Sequence, residues 1–298
     1  MGWTKLSTLT FPTRFHFLAD FSLAFMRRFE YFFKLLYSKR FSSKGSVSIF
    51  GMKNFVAIIG PAAAVLAYFV LGQPLWATGG LGILTLIGFI FPDWRAAMGL
   101  SRVVFIFCLL MFIINELGIA YPYSNIFVLT GLLGLFFLSG ESWKGLYFGP
   151  GQTRQWTRHA FLIGLGFAAG VLMLFAFLPE QLGANPVPAG WPIDVLIVVA
   201  IGYAAFSTLM EETMFRSVMV AFSRAHLTPT VAVMAQGLVF GAMHYRVGFP
   251  SNASGALLSF IWGLLAGWLV LKADSIYPAF VMHFVVVLTL FVGLIFLH

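Results

Sequence analysis

Charge is the scarcest thing in this chain. Acidic and basic residues make up 9% of its 298 positions, hydrophobic residues 60%, and the mean hydropathy is +0.93. Soluble domains carry about 25% charged residues, so an ordinary soluble domain is excluded and a polytopic membrane protein is expected. Cysteine is nearly missing as well: Cys108 stands alone, inside an apolar run. No intrachain disulfide can form, and cysteine usage says nothing about compartment. A thiol in such surroundings reads as an inert packing group rather than a nucleophile. There is no internal repeat, so the inverted-repeat mark of many transporters is lacking. A signal-peptide core is lacking too, because charge breaks the apolar positions throughout residues 1–53.

The charge that is present is unevenly placed. Nine of the 18 Lys and Arg fall in the first 53 residues, and the net charge is +8. In so apolar a chain this points to a basic tail on the cytoplasmic side rather than to nucleic acid. Phe25, Phe29, Phe32, Phe33 and Leu36 share one helical face, with Arg27, Glu30, Lys34 and Ser38 largely on another. That pattern predicts an amphipathic helix lying on an anionic leaflet.

From Asn54 onward apolar runs follow one another, at about 54–72, 75–91, 103–120, 125–139, 160–178, 193–223, 230–245, 254–271 and 276–297. A span needs about 20 apolar residues. The runs at 125–139 and 230–245 are short, so eight to nine transmembrane helices are expected in an all-α membrane bundle. The 193–223 run is too long for one straight span. With nine spans and a cytoplasmic N-terminus, the inner loops hold Arg95, Arg102, Lys144, Arg154, Arg158, Arg224 and Lys272, and the outer loops only Arg246. This is the asymmetry of the positive-inside rule. Glu116 reads as an interfacial acid at the outer end of the third span. Gly149-Pro150-Gly151 is a turn signal. Ser259, Gly263 and Gly267 form a stripe of small residues that allows close helix packing.

Against this background Glu211 and Glu212 stand out, because they follow an uncharged run from Val195 to Leu209. Ionisable residues inside a membrane are costly, from about 2.5 kcal/mol upward, and mark function. On an α-helix Glu212 and Arg216 are i,i+4 partners. Glu211 lies about 100° round and cannot share the guanidinium equally, so one carboxylate is held and the other left free. Phe240 and His244 come four apart near the end of the seventh run, and His283 lies in the last. Counted from the inner surface, Glu211 lies roughly 20 Å deep, His244 roughly 21 Å and His283 roughly 12 Å. The count predicts one polar cavity, entered from the inner leaflet or the cytoplasm, with His283 somewhat nearer that side. Glu and His together can activate a water beside an amide, and a second His can stabilise the oxyanion.

At these residues the sequence resembles the intramembrane protease family that includes the CAAX-prenyl endopeptidase and bacteriocin-processing enzymes (the CPBP or Abi family). Glu211, Glu212 and Arg216 match its Glu-Glu-x-x-x-Arg motif, and Phe240 and His244 its Phe-x-x-x-His motif. His283 opens its His-x-x-x-Asn/Asp motif, whose last position here is Val287. The resemblance implies a glutamate-dependent endopeptidase acting near the cytoplasmic face, in which Glu211 and His244 activate water. Glu212 and Arg216 would organise the site and His283 would hold the oxyanion, with Phe240 and Val287 lining the cavity. The resemblance covers about 195–290, and the chain is expected in three parts: a basic segment 1–53, helices 54–190, and a catalytic core 191–298. No cofactor is expected. Zinc is the alternative, on Glu211, His244 and His283, although no His-Glu-x-x-His is present. The expected partners are a peptide or protein substrate and the lipid bilayer, in the inner membrane of a prokaryote. Val287 favours a second reading, a non-catalytic immunity or partner-binding protein. A third is a proton-relaying transporter.

Overall fold

The computed structural model of the chain describes residues 52–297, apart from 96, 141, 184–189 and 225–226. All but the end of the amphipathic segment expected at 1–53 therefore lies outside the described residues. The described elements are all helical. They are α1 (Met52–Phe69), α2 (Pro74–Ile90), α3 (Gly99–Leu117), α4 (Tyr123–Leu138), α5 (Thr153–Phe177), α6 (Ile193–Arg224), α7 (Pro229–Met243), α8 (Asn252–Ala273) and α9 (Tyr277–Phe296), with short turns between them. Five of these, α3, α5, α6, α8 and α9, are long and apolar enough to cross a membrane, and the other four are shorter apolar helices. The chain is an integral, multi-pass membrane protein.

Local chemistry sets the ends of these helices. Proline occupies the first turn of α2, α7 and α9, where its missing N–H costs nothing. Thr228 caps α7 by accepting from the Val231 N–H at 3.4 Å. Gly118, at φ 63°, ends α3 in the left-handed conformation that glycine adopts without strain. α5 begins earlier than the apolar run does, so Arg154 and Arg158 belong to its first turns.

The small-residue stripe works as a packing device. A β-carbon at Gly263 would fall 2.8 Å from the Gly237 Cα, so α8 and α7 approach almost backbone to backbone. Gly164 does the same for α5 and α9: a β-carbon there would fall 2.6 Å from the carbonyl oxygen of Met282. Gly164→Ala is therefore expected to push α9 away, destabilising the protein by about 1–3 kcal/mol and displacing the neighbouring His283. Thermal unfolding in detergent checks the first effect. Unchanged stability would mean that the helices accommodate the methyl group.

The segment joining α4 to α5 does not run free over the surface. Leu146 is fully buried and its carbonyl accepts from the Ser217 hydroxyl. The Tyr147 carbonyl accepts from Ile276 N–H at 2.9 Å, and the Gly149 carbonyl from the Ser275 hydroxyl at 2.7 Å. Arg224 donates to the Tyr147 hydroxyl. Burial holds that phenol above its ordinary range, with Arg224 pulling partly the other way. The expected Gly149-Pro150-Gly151 turn thus closes a segment that seats the ends of α6 and α9.

Candidate active site

Glu211 ends the α-helical part of α6, and Glu212 opens a π-helical stretch, Glu212–Met219, after which the helix returns to α geometry over Val220–Arg224. π-Helical turns are rare and recur at functional sites. The long run is therefore one continuous helix that widens at its charged residues. Spacing at 3.6 residues per turn does not apply beyond Glu211, yet the expected pair forms: Arg216 Nη1 lies 3.3 Å from Glu212 Oε1, and neither side chain has exposed surface. The guanidinium also lies 4.1 Å over the Phe240 ring, a favourable cation–π placement.

His283 completes this group. Its Nδ1 lies 2.7 Å from the same Glu212 Oε1. An ionised carboxylate only accepts, so Nδ1 carries the proton and the other ring nitrogen faces away from Glu212. That nitrogen, Nε2, stands 3.9 Å from Glu211 Oε2. The two glutamates differ sharply. Glu212 is enclosed between Arg216 and His283, whereas the Glu211 side chain keeps 16% of its surface. Glu211 is held at its other oxygen, where the Ser207 hydroxyl donates to Oε1 at 2.9 Å.

Phe240 joins the helices. Its ring lies 4.5 Å from the His244 ring, 6.2 Å from that of His283 and 5.0 Å from that of Phe215. His244 follows the last residue of α7 and is buried. Its Nδ1 lies 2.9 Å from the Phe240 carbonyl; a carbonyl only accepts, so Nδ1 is the protonated nitrogen and Nε2 the free acceptor. Gly248, at φ +92°, keeps the space beside that nitrogen open, since a β-carbon there would lie 3.1 Å from it.

The structure thus gathers Glu211, Glu212, Arg216, Phe240, His244 and His283 from three helices. His283 touches Glu212 directly. Ser275, from which its depth was counted, is fully buried against the α4–α5 segment. Val287 is half-buried, one turn beyond His283 on α9. Glu116 is exposed in the last turn of α3, and Cys108 is buried.

A zinc ion on Glu211, His244 and His283 would need their donors to converge on one point. Among the described residues no group of three or more His, Cys, Asp or Glu side chains is so gathered.

Several neighbours went unread in the sequence: Ser207 on Glu211, Trp262 with its ring 5.7 Å from that of His283, and the α4–α5 segment beneath. Ser207 had a legible signal, a hydroxyl one helical turn before the first glutamate in an uncharged run.

A multi-pass helical protein that buries a glutamate–histidine–arginine cluster inside its bundle belongs to the class of membrane proteins with a polar intramembrane site. Within that class, residues 193–289 match the family model described as Type II CAAX prenyl endopeptidase Rce1-like. The match spans α6 through most of α9, about a third of the chain, in keeping with the CPBP resemblance. It is a family of proteases, and the match supports an intramembrane protease role in general terms. No curated protein and no solved structure matches the chain.

Proposed function

We propose that the protein is an intramembrane endopeptidase that hydrolyses a peptide bond with a water activated by Glu211 and His244. The observation that carries this reading is the unequal treatment of the two glutamates: Glu212 is locked between Arg216 and His283, and Glu211 keeps Oε2 outside that pair, 3.9 Å from His283 Nε2. Glu211 takes a proton from water as its oxygen attacks the carbonyl carbon. The Nε2 of His244 accepts a hydrogen bond from the same water and holds it in line. His283, when protonated on both nitrogens, donates from Nε2 to the developing oxyanion while Glu212 and Arg216 fix its ring. Collapse of the tetrahedral intermediate breaks the C–N bond, and Glu211 returns its proton to the leaving amine. General acid–base help of this kind contributes about 10²–10⁴ in rate. No metal is assigned to the reaction.

The substrate is a peptide or protein segment reaching the bilayer, cut near the cytoplasmic face, and the protein is placed in the inner membrane of a prokaryote. The partition into 1–53, 54–190 and a catalytic 191–298 belongs to the same reading. Reconstituted protein should release new peptide termini, detectable by mass spectrometry, from membrane-tethered peptides. Peptides left intact throughout, though bound, would favour the alternative of a non-catalytic immunity or partner-binding protein, the reading that Val287 supports.

Two further results are expected. The first concerns Val287, four residues along α9 from His283 and hence on the same helical face. Val287→Asn supplies a polar donor near the oxyanion, where one donor is worth about 10²–10³ in rate; peptidase turnover should hold or rise, and a loss of turnover without loss of folding would remove Val287 from the cavity. The second concerns topology. A reporter fused at the N-terminus should read cytoplasmic and one at His298 should read on the far side. Reporters on the same side would mean an even number of crossings and would require the positions of the loops to be reassigned.

A further inference from the structure

The hydroxyls that lead up α6 to Glu211 form a row that the proposed chemistry does not yet use. Tyr203, Ser207 and Glu211 are spaced by four and lie on one face of the α-helical part of α6, just before it widens at Glu212. Serines inside membrane helices commonly turn back to the carbonyl four residues earlier. Ser207 instead donates forward, to Glu211 Oε1 at 2.9 Å. Its single proton is thereby committed to the carboxylate.

We infer that Ser207 is the positioning residue that aims Glu211. This rests on the proposed water-activating role of Glu211. A carboxylate on a flexible side chain in an apolar bundle has many orientations, and only one presents a free oxygen to the histidines. Ser207 occupies Oε1, which leaves Oε2 toward His283 Nε2 at 3.9 Å. Burial supports the assignment: Ser207 is 4% exposed, so no solvent competes for its proton.

The test compares Ser207→Ala and Ser207→Thr in reconstituted full-length protein. With a peptide that the wild type cleaves, Ser207→Ala should lower kcat by roughly ten- to a hundredfold, in line with the cost of misplacing a reacting group, with KM little changed. Ser207→Thr, which keeps the hydroxyl, should restore kcat. A readout independent of cleavage separates failure of this inference from failure of the peptidase reading. The Glu211 carboxylate stretch, isolated in the infrared by subtracting the spectrum of Glu211→Gln, should shift in Ser207→Ala and stay in Ser207→Thr. An unshifted band in Ser207→Ala, or wild-type kcat in that variant where Glu211→Gln is inactive, overturns the inference. Should Ser207→Thr fail to fold, the Ser207→Ala band alone decides.

Discussion

Glu211→Gln is expected to remove peptide hydrolysis, by about 10²–10⁴ in rate, and to leave the protein folded. The amide has nearly the size of the carboxylate, and its oxygen can still accept from Ser207, so the 2.9 Å contact survives. What is lost is the ability to take a proton from water. Glu211 is not part of the ion pair with Arg216, and its side chain keeps some exposed surface, so neutralising it strands no buried partner. Thermal unfolding should match the wild type while turnover disappears. His244→Ala should remove turnover in the same way, because its free Nε2 is the second group placed to hold the water. Its stability cost is larger, since it also loses the ring contact with Phe240 at 4.5 Å. Near wild-type turnover in Glu211→Gln would mean that the proton goes elsewhere.

The largest effect on stability is expected from Arg216→Ala. The guanidinium is fully buried, and it is the partner of a fully buried Glu212. Removing one member of a buried pair strands the other and costs about 3–5 kcal/mol. Two further losses add to this: the placement over Phe240 at 4.1 Å, and the counter-charge that keeps Glu212 in place for His283. Lysine is a poor replacement, because it lacks the flat fork that stacks on an aromatic ring. Arg216→Ala should therefore unfold well below Glu211→Gln in detergent and lose activity through disorder of the site. Equal thermal stability of the two variants would show that the pair contributes little to the fold.

The contrast between these two variants follows from features that were unequally legible in the sequence. Glu211, Glu212 and Arg216 were conspicuous because charge inside an apolar run is expensive and therefore rare. Phe240, His244 and His283 could be attached by spacing and resemblance, and the structure brings them together. The nine apolar runs became nine apolar helices among the described residues. The π-helical stretch could not be read, because no composition marks it. The partner of Ser275 could not be read either: its hydroxyl donates to the Gly149 carbonyl, 126 residues away in the chain. Such long-range partners leave no local trace. Ser207 was overlooked for a different reason. Its hydroxyl is uncharged, and only its place one turn before Glu211 distinguishes it from a packing serine.

The central claim is that Glu211 turns over a peptide bond by activating water. It is tested most directly by digesting membrane-tethered peptides with reconstituted wild type and Glu211→Gln in ¹⁸O-labelled water, reading products by mass spectrometry. The account predicts that the wild type produces new C-termini carrying solvent oxygen, and that Glu211→Gln, equally folded, produces none. Equal cleavage by both proteins, or binding without cleavage by the wild type, would contradict it.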